Sequence, residues 1–88
     1  MSAGPYRVVI TRAAEKDLRR LPASVVVRVT DALLGLADDP RARGSKKLRG
    51  EPNAYRVRVG DYRIVYEIFD KEVVVRVVRV RHRKDVYD

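Results

Sequence analysis

The second half of the chain alternates. Tyr55, Val57, Val59, Tyr62, Ile64, Tyr66 and Ile68 are each separated by one other residue, except where Gly60-Asp61 intervenes. Successive side chains of a strand point to opposite faces, so this period of two predicts two strands sharing one buried face and joined by a tight turn. Asp70-Lys71 then offers a second turn into a third strand over Val73 to Val80, followed by a polar tail from Arg81 to Asp88.

The first half keeps a different period. Tyr6 to Ile10 is a short β-branched run, and Thr11 stands where an N-cap belongs ahead of a helix predicted over Arg12 to Arg20. Ala14, Leu18 and Leu21 hold the helical spacing until Pro22, after which Ser24 is the expected cap of a second helix reaching Asp38. Val25, Val29, Leu33 and Leu36 form its apolar face, although the run Val25 to Val27 has strand propensity. Residues 40 to 53 contain two Pro, two Gly and five Lys or Arg, and are expected to form a basic connection. The predicted order is β-α-α-β-β-β. This is an α+β domain over residues 1–88, with two N-terminal helices packed on one face of a mainly antiparallel sheet.

Turn lengths predict the register. A two-residue loop at Gly60-Asp61 sets Val59 opposite Tyr62, Val57 opposite Ile64 and Arg58 opposite Arg63. The same rule at Asp70-Lys71 sets Ile64 opposite Val77, Tyr66 opposite Val75 and Ile68 opposite Val73. The other face then carries Arg56, Arg58, Arg63 and Arg76 among Val65, Val74, Val78 and Val80, with Glu67 near Arg76. Like charges directly across a strand pair are destabilising, so the pairing of Arg58 with Arg63 asks for an anion to offset it. A solvated face whose arginines splay apart is the alternative.

Charge distribution points the same way. The formal net charge is +8, and residues 41 to 66 alone carry eight cations against two acids. A local basic block predicts a polyanionic partner, and fifteen of the twenty cations are Arg, whose planar fork suits phosphate. With no Cys and one His, thiol catalysis and a His-based metal site are excluded, and no metal or cofactor is expected. No apolar run approaches the roughly 18 residues of a membrane span, and residues 1–5 lack a signal-peptide order, so a cytoplasmic protein with no membrane partner is expected.

Three runs carry a family resemblance. Lys47-Leu48-Arg49-Gly50, the stretch from Tyr55 to Tyr66, and His82-Arg83-Lys84-Asp85-Val86-Tyr87 are similar to the RelE branch of the RelE/ParE toxin superfamily. Ala13 to Leu18 and Leu21-Pro22 resemble that family's first helix and its end. The resemblance implies a toxin of a type II toxin–antitoxin system that cleaves mRNA in the ribosomal A site and is neutralised by a cognate antitoxin. It places catalytic functions on Arg58, Arg63, Arg83 and Tyr87, and substrate contact on Arg56; Lys46, Lys47 and Arg49 in the basic connection are further candidates for RNA contact. Where the family often has lysine on the second strand this chain has Arg56 and Arg58, which hold phosphate but cannot be deprotonated.

The chemistry so implied needs no metal. The 2′-OH attacks its neighbouring phosphate, fixed donors stabilise the phosphorane, and a cyclic phosphate and a 5′-hydroxyl result. His82 is the candidate acid or base by its intrinsic pKa, although a lone His at a strand end is more often structural. Two alternatives remain: a ParE-like toxin that inhibits DNA gyrase by binding, and a catalytically inactive RNA-binding member.

Overall fold

The computed structural model describes residues 4–85; Tyr87 lies outside them. Strand β1 (Arg7–Ile10) leads into helices α1 (Arg12–Arg19) and α2 (Ala23–Asp38). Strands β2 (Lys46–Lys47), β3 (Ala54–Val59), β4 (Tyr62–Phe69) and β5 (Val74–His82) follow, and Arg83–Asp85 form one turn of 3-10 helix. The sheet order is β1-β5-β4-β3-β2, with β1 parallel to β5 and every other neighbour antiparallel. The added strand β2 lies inside the basic connection.

Both helices begin on local signals. Thr11 accepts the Ala14 N–H on its hydroxyl, as an N-cap should. Helix α2 starts one residue earlier than its expected cap: Ser24 is inside it and Pro22 stands at the N-cap. The Pro22 carbonyl accepts from Val25 and Val26, at 2.9 and 3.0 Å. A ring that fixes φ and has no N–H to satisfy suits a helix entrance, and no side chain caps this one. The valine run is helical because Val29, Leu33 and Leu36 on the same helix are buried against the sheet, while Val27 is left 60% exposed.

The β3–β4 register is as expected. Gly60 has φ 59°, the left-handed value that a two-residue hairpin takes at its first central position, and Arg58 pairs with Arg63. The β4–β5 register differs. Ile68 pairs with Val75 and Tyr66 with Val77, because the connection spans four residues, 70 to 73, rather than two. That loop closes by the Val73 N–H donating to the Asp70 carbonyl, with Val73 at φ 55°, a strained position for a β-branched residue. The Asp70 carboxylate is turned away to Arg41, which grips both its oxygens at 3.0 and 2.9 Å, and to the Tyr6 hydroxyl at 2.7 Å.

A second departure follows in the same strand. Between Tyr66–Val77 and Val65–Arg79 one residue of β5, Val78, has no partner on β4. This bulge reverses the alternation beyond it. Val80, expected on the arginine face, is 3% exposed in the core opposite Ile64, and Arg81 lies opposite Arg63.

The core lies between the helices and the inner face of the sheet, where Val8, Val29, Leu33, Ile64, Ile68, Val75 and Val77 are buried together. Of the strand tyrosines expected in the core, Tyr66 is fully buried while Tyr55 and Tyr62 are half-buried. The Tyr66 hydroxyl donates to the Pro40 carbonyl at 2.7 Å and so ties the basic connection to the sheet. Burial pushes its phenol up to about 12. Because the folded value lies above the ordinary one of about 10, the stability involved is complete below pH 10. It is lost as pH rises toward 12, at about 1.4 kcal/mol per pH unit. Tyr66→Phe should cost about 1 to 3 kcal/mol at pH 7 by leaving the Pro40 carbonyl unsatisfied, and should then show a smaller further loss between pH 10 and 11 than the parent. Urea denaturation of both proteins checks this; parallel losses above pH 10 would contradict it.

Candidate nucleic-acid interface

The sheet face turned away from the helices follows from the register. Arg56 and Arg58 on β3, Arg63 and Glu67 on β4, and Arg76, Arg79 and Arg81 on β5 share it. Lys46 joins it from β2, opposite Arg56. Glu67 is the acid that pairing puts there among the described residues, and it takes the Arg76 Nε at 2.7 Å. No ion pair among the described residues involves Arg56 or Arg58.

Arg63 is the centre of one corner. It lies on β4 between Arg58 on β3 and Arg81 on β5, three guanidinium-bearing positions in a row across three strands. Arg63, expected on the open face with Arg58, is only 7% exposed. Arg58, Arg63 and Arg83 line one depression of about 90 Å³ together with Gly60, Asp61 and Tyr62. Arg83 is held there through its backbone: its N–H donates to the Asp61 carbonyl at 2.7 Å, and its Nε lies 3.7 Å from the Asp61 carboxylate. The Gly60-Asp61 turn therefore anchors the start of the 3-10 helix as well as the hairpin.

The other candidates divide into two groups. Arg56 and Lys46 line a neighbouring depression of about 350 Å³ with Arg43 and Gly44, and Arg58 lines both depressions. Lys47 and Arg49 border a separate groove of the connection with Glu51 and Pro52, which shares no lining residue with the corner. His82 pairs with Tyr62, on the helix side of the sheet, and their rings meet edge to face at 5.1 Å. Its Nδ1 accepts the Lys84 N–H at 3.1 Å, and it lines another depression with Asp17, Arg20, Tyr62 and Arg81.

Sequence reasoning missed Arg81 and Arg43. Arg81 was assigned to a polar tail, and only the bulge at Val78 turns it toward Arg63. Arg43 joins the site through Gly44, whose φ of 93° lets the connection double back toward β3.

Cross-strand like-charge neighbours each cost roughly 0.2 to 1 kcal/mol, and an oxyanion between them converts that cost into attraction. Forked, permanently charged donors at fixed strand positions suit a phosphodiester.

Comparison with known proteins identifies the family. The family model described as the ParE toxin of the type II toxin–antitoxin system parDE matches residues 8–87. The chain belongs to the RelE/ParE toxin superfamily. Toxin RelG of Mycobacterium tuberculosis is 36% identical over 84 residues, covering 94% of this chain and 97% of its own length. The mRNA interferase toxin RelE of Escherichia coli is 36% identical over 86 residues, covering 93% and 90%. Among solved structures, the toxin–antitoxin complex RelBE2 of M. tuberculosis superposes with a TM-score of 0.81 at 36% identity, covering 91% of this chain and 93% of that one. The α+β architecture is that of the RelE toxins, and the chain is a RelE-family toxin of the type II class.

An anion at the corner of this RelE-family sheet should stabilise the fold by mass action. Saturating pyrophosphate is expected to raise the melting temperature by about 5 to 10 °C, the scale of one to two kcal/mol in a domain this small. Arg58→Ala should remove most of that rise in a thermal melt. An equal rise in parent and variant would place the anion elsewhere.

Proposed function

We propose that this toxin is a ribosome-dependent mRNA endonuclease that cleaves by attack of a 2′-OH on the adjacent phosphate. The observation that carries the reading is the row of Arg58, Arg63 and Arg81 across three strands, with Arg83 at its rim. In the reaction the 2′-oxygen bonds to phosphorus and loses its proton to a base. The bond from phosphorus to the 5′-oxygen breaks, and that oxygen takes up a proton, leaving a 2′,3′-cyclic phosphate and a 5′-hydroxyl. Negative charge grows on the non-bridging oxygens, where Arg63, Arg58 and Arg81 stabilise it more in the transition state than in the ground state.

Arg56 and Lys46 hold the flanking backbone, and Arg83 approaches the leaving side from the 3-10 helix. Tyr87 stacks on a base or orients the attacking group, as the family resemblance implies. Guanidiniums do not act as bases at neutral pH, and the His82 ring is directed to the helix side. The cluster therefore supplies charge stabilisation, and the ribosome supplies the alignment of the message. The relative named mRNA interferase toxin RelE supports the substrate class, and a complex such as that of the M. tuberculosis toxin supports an antitoxin partner. An acidic or amphipathic antitoxin segment over the basic face would mask it, and the site of action is the cytoplasm. The ParE description of the matching family model supports a second reading, inhibition of gyrase by binding without RNA cleavage.

Primer extension on programmed ribosomes separates the two. Arg63→Gln should lower cleavage by about two to three orders of magnitude, the scale of losing a transition-state donor, while ribosome association persists through the other cations. A message with a single 2′-deoxy residue on the 5′ side of the scissile bond should not be cut at all. Cleavage of the deoxy message would rule out the 2′-OH mechanism, and no cleavage of any message by the parent would favour the gyrase reading.

A further inference from the structure

Strand β1 is shorter than the strand it covers. It ends at Ile10, opposite Val77, so among the described residues no strand lies beside the edge of β5 from Val78 onward, at the point where the bulge interrupts its pairing with β4. Helix α1 and its cap occupy that edge instead. The Thr11 N–H donates to the Val77 carbonyl at 3.0 Å, and the Thr11 hydroxyl donates to the Val78 carbonyl at 2.9 Å. One turn further along, Asp17 Oδ2 accepts both the Val80 N–H and the Arg79 Nε, each at 2.9 Å, while its Oδ1 accepts an Arg79 Nη at 3.2 Å.

We propose that Asp17 is a positioning residue for the RNA-cleaving site: by clasping the backbone and side chain just past the bulge, it fixes the register that turns Arg81 toward Arg63. The role rests on the nuclease reading above, but the clasp itself does not. Continued without the bulge, the β4–β5 ladder would set Tyr62 against Arg81 and Arg63 against Val80. One arginine would then leave the cluster and a valine would enter it. The clasp opposes that slip at its first residue, since Val80 N–H would otherwise be an orphan donor on a bare strand edge.

The Asp17 side chain is 13% exposed. Burial alone would raise its carboxyl, but the hydrogen bonds from Arg79 and Val80 outweigh burial and hold it below the ordinary carboxylate range. It is therefore ionised at neutral pH and accepts from both. Asp17 lies on α1, on the far side of β5 from β3, and lines neither of the depressions at Arg58; it shares a third with Arg79 and Arg81 on β5.

The test combines kinetics with amide exchange. Asp17→Ala should lower kcat for cleavage on programmed ribosomes by about tenfold or more, the scale of a misplaced contact, with KM for ribosomes nearly unchanged. In an Arg81→Ala background the same substitution should cost little further, because the residue it positions is gone. A merely structural role would reduce activity by the same factor in both backgrounds, and that result would overturn the proposal. Amide exchange of Val80 to His82, read in the free protein without RNA, should accelerate in Asp17→Ala while the amides of Ile64 to Ile68 stay protected. Unchanged exchange at Val80 would also overturn it. If Asp17→Ala fails to fold, Asp17→Asn, which keeps an oxygen for Val80 but loses the charge facing Arg79, carries the kinetic comparison in the two backgrounds, and an equal loss in both overturns the proposal. Because the exchange arm needs no RNA, a parent that cuts nothing would count against the nuclease reading alone.

Discussion

One extra residue in β5 decides what each face of the sheet carries. Up to Val77 the odd-numbered side chains of that strand face the helices; beyond Val78 the even-numbered ones do. The switch puts Val80 into the core, a burial worth about 1.5 to 3 kcal/mol, and puts Arg81 across from Arg63. Packing and the grouping of the arginines thus both require the bulged register. The helix side gains a valine, and the open side gains a third guanidinium. The parallel pairing of β1, the cap at Thr11 and the first helix are all arranged around this irregular edge.

Legibility in the sequence tracks how local each decision is. The two N-terminal helices, the order of the long strands and the Arg58–Arg63 pairing could be read because each depends on a nearby period or on the Gly60-Asp61 turn. The register of β5 could not. Asp70-Lys71 has the composition of a tight turn, but Asp70 is bound by Arg41 and Tyr6 from distant parts of the chain, and the loop widens to end on a strained Val73. The bulge is equally silent, because the run from Val73 to Arg81 places valine at both parities and fits either alternation.

Adjacent guanidiniums repel unless an acid or an anion lies between them, and in the proposed reaction the scissile phosphate is such an anion. Fixed donors that need no reorganisation when charge develops are what a phosphoryl transition state requires, and strands hold them more rigidly than loops do. In the proposed reaction the corner contributes charge stabilisation and the larger assembly contributes alignment.

The most direct test of this account is the structure of the toxin on a ribosome whose message is 2′-O-methylated at the cleavage position, so that the substrate stays whole. The account predicts the scissile phosphate within about 2.7 to 2.9 Å of the Arg63 guanidinium, the range of a charge-assisted hydrogen bond, with Arg58 and Arg81 on either side of it. A scissile phosphate seated against Lys47 and Arg49, or beside His82 on the helix side of the sheet, would contradict it.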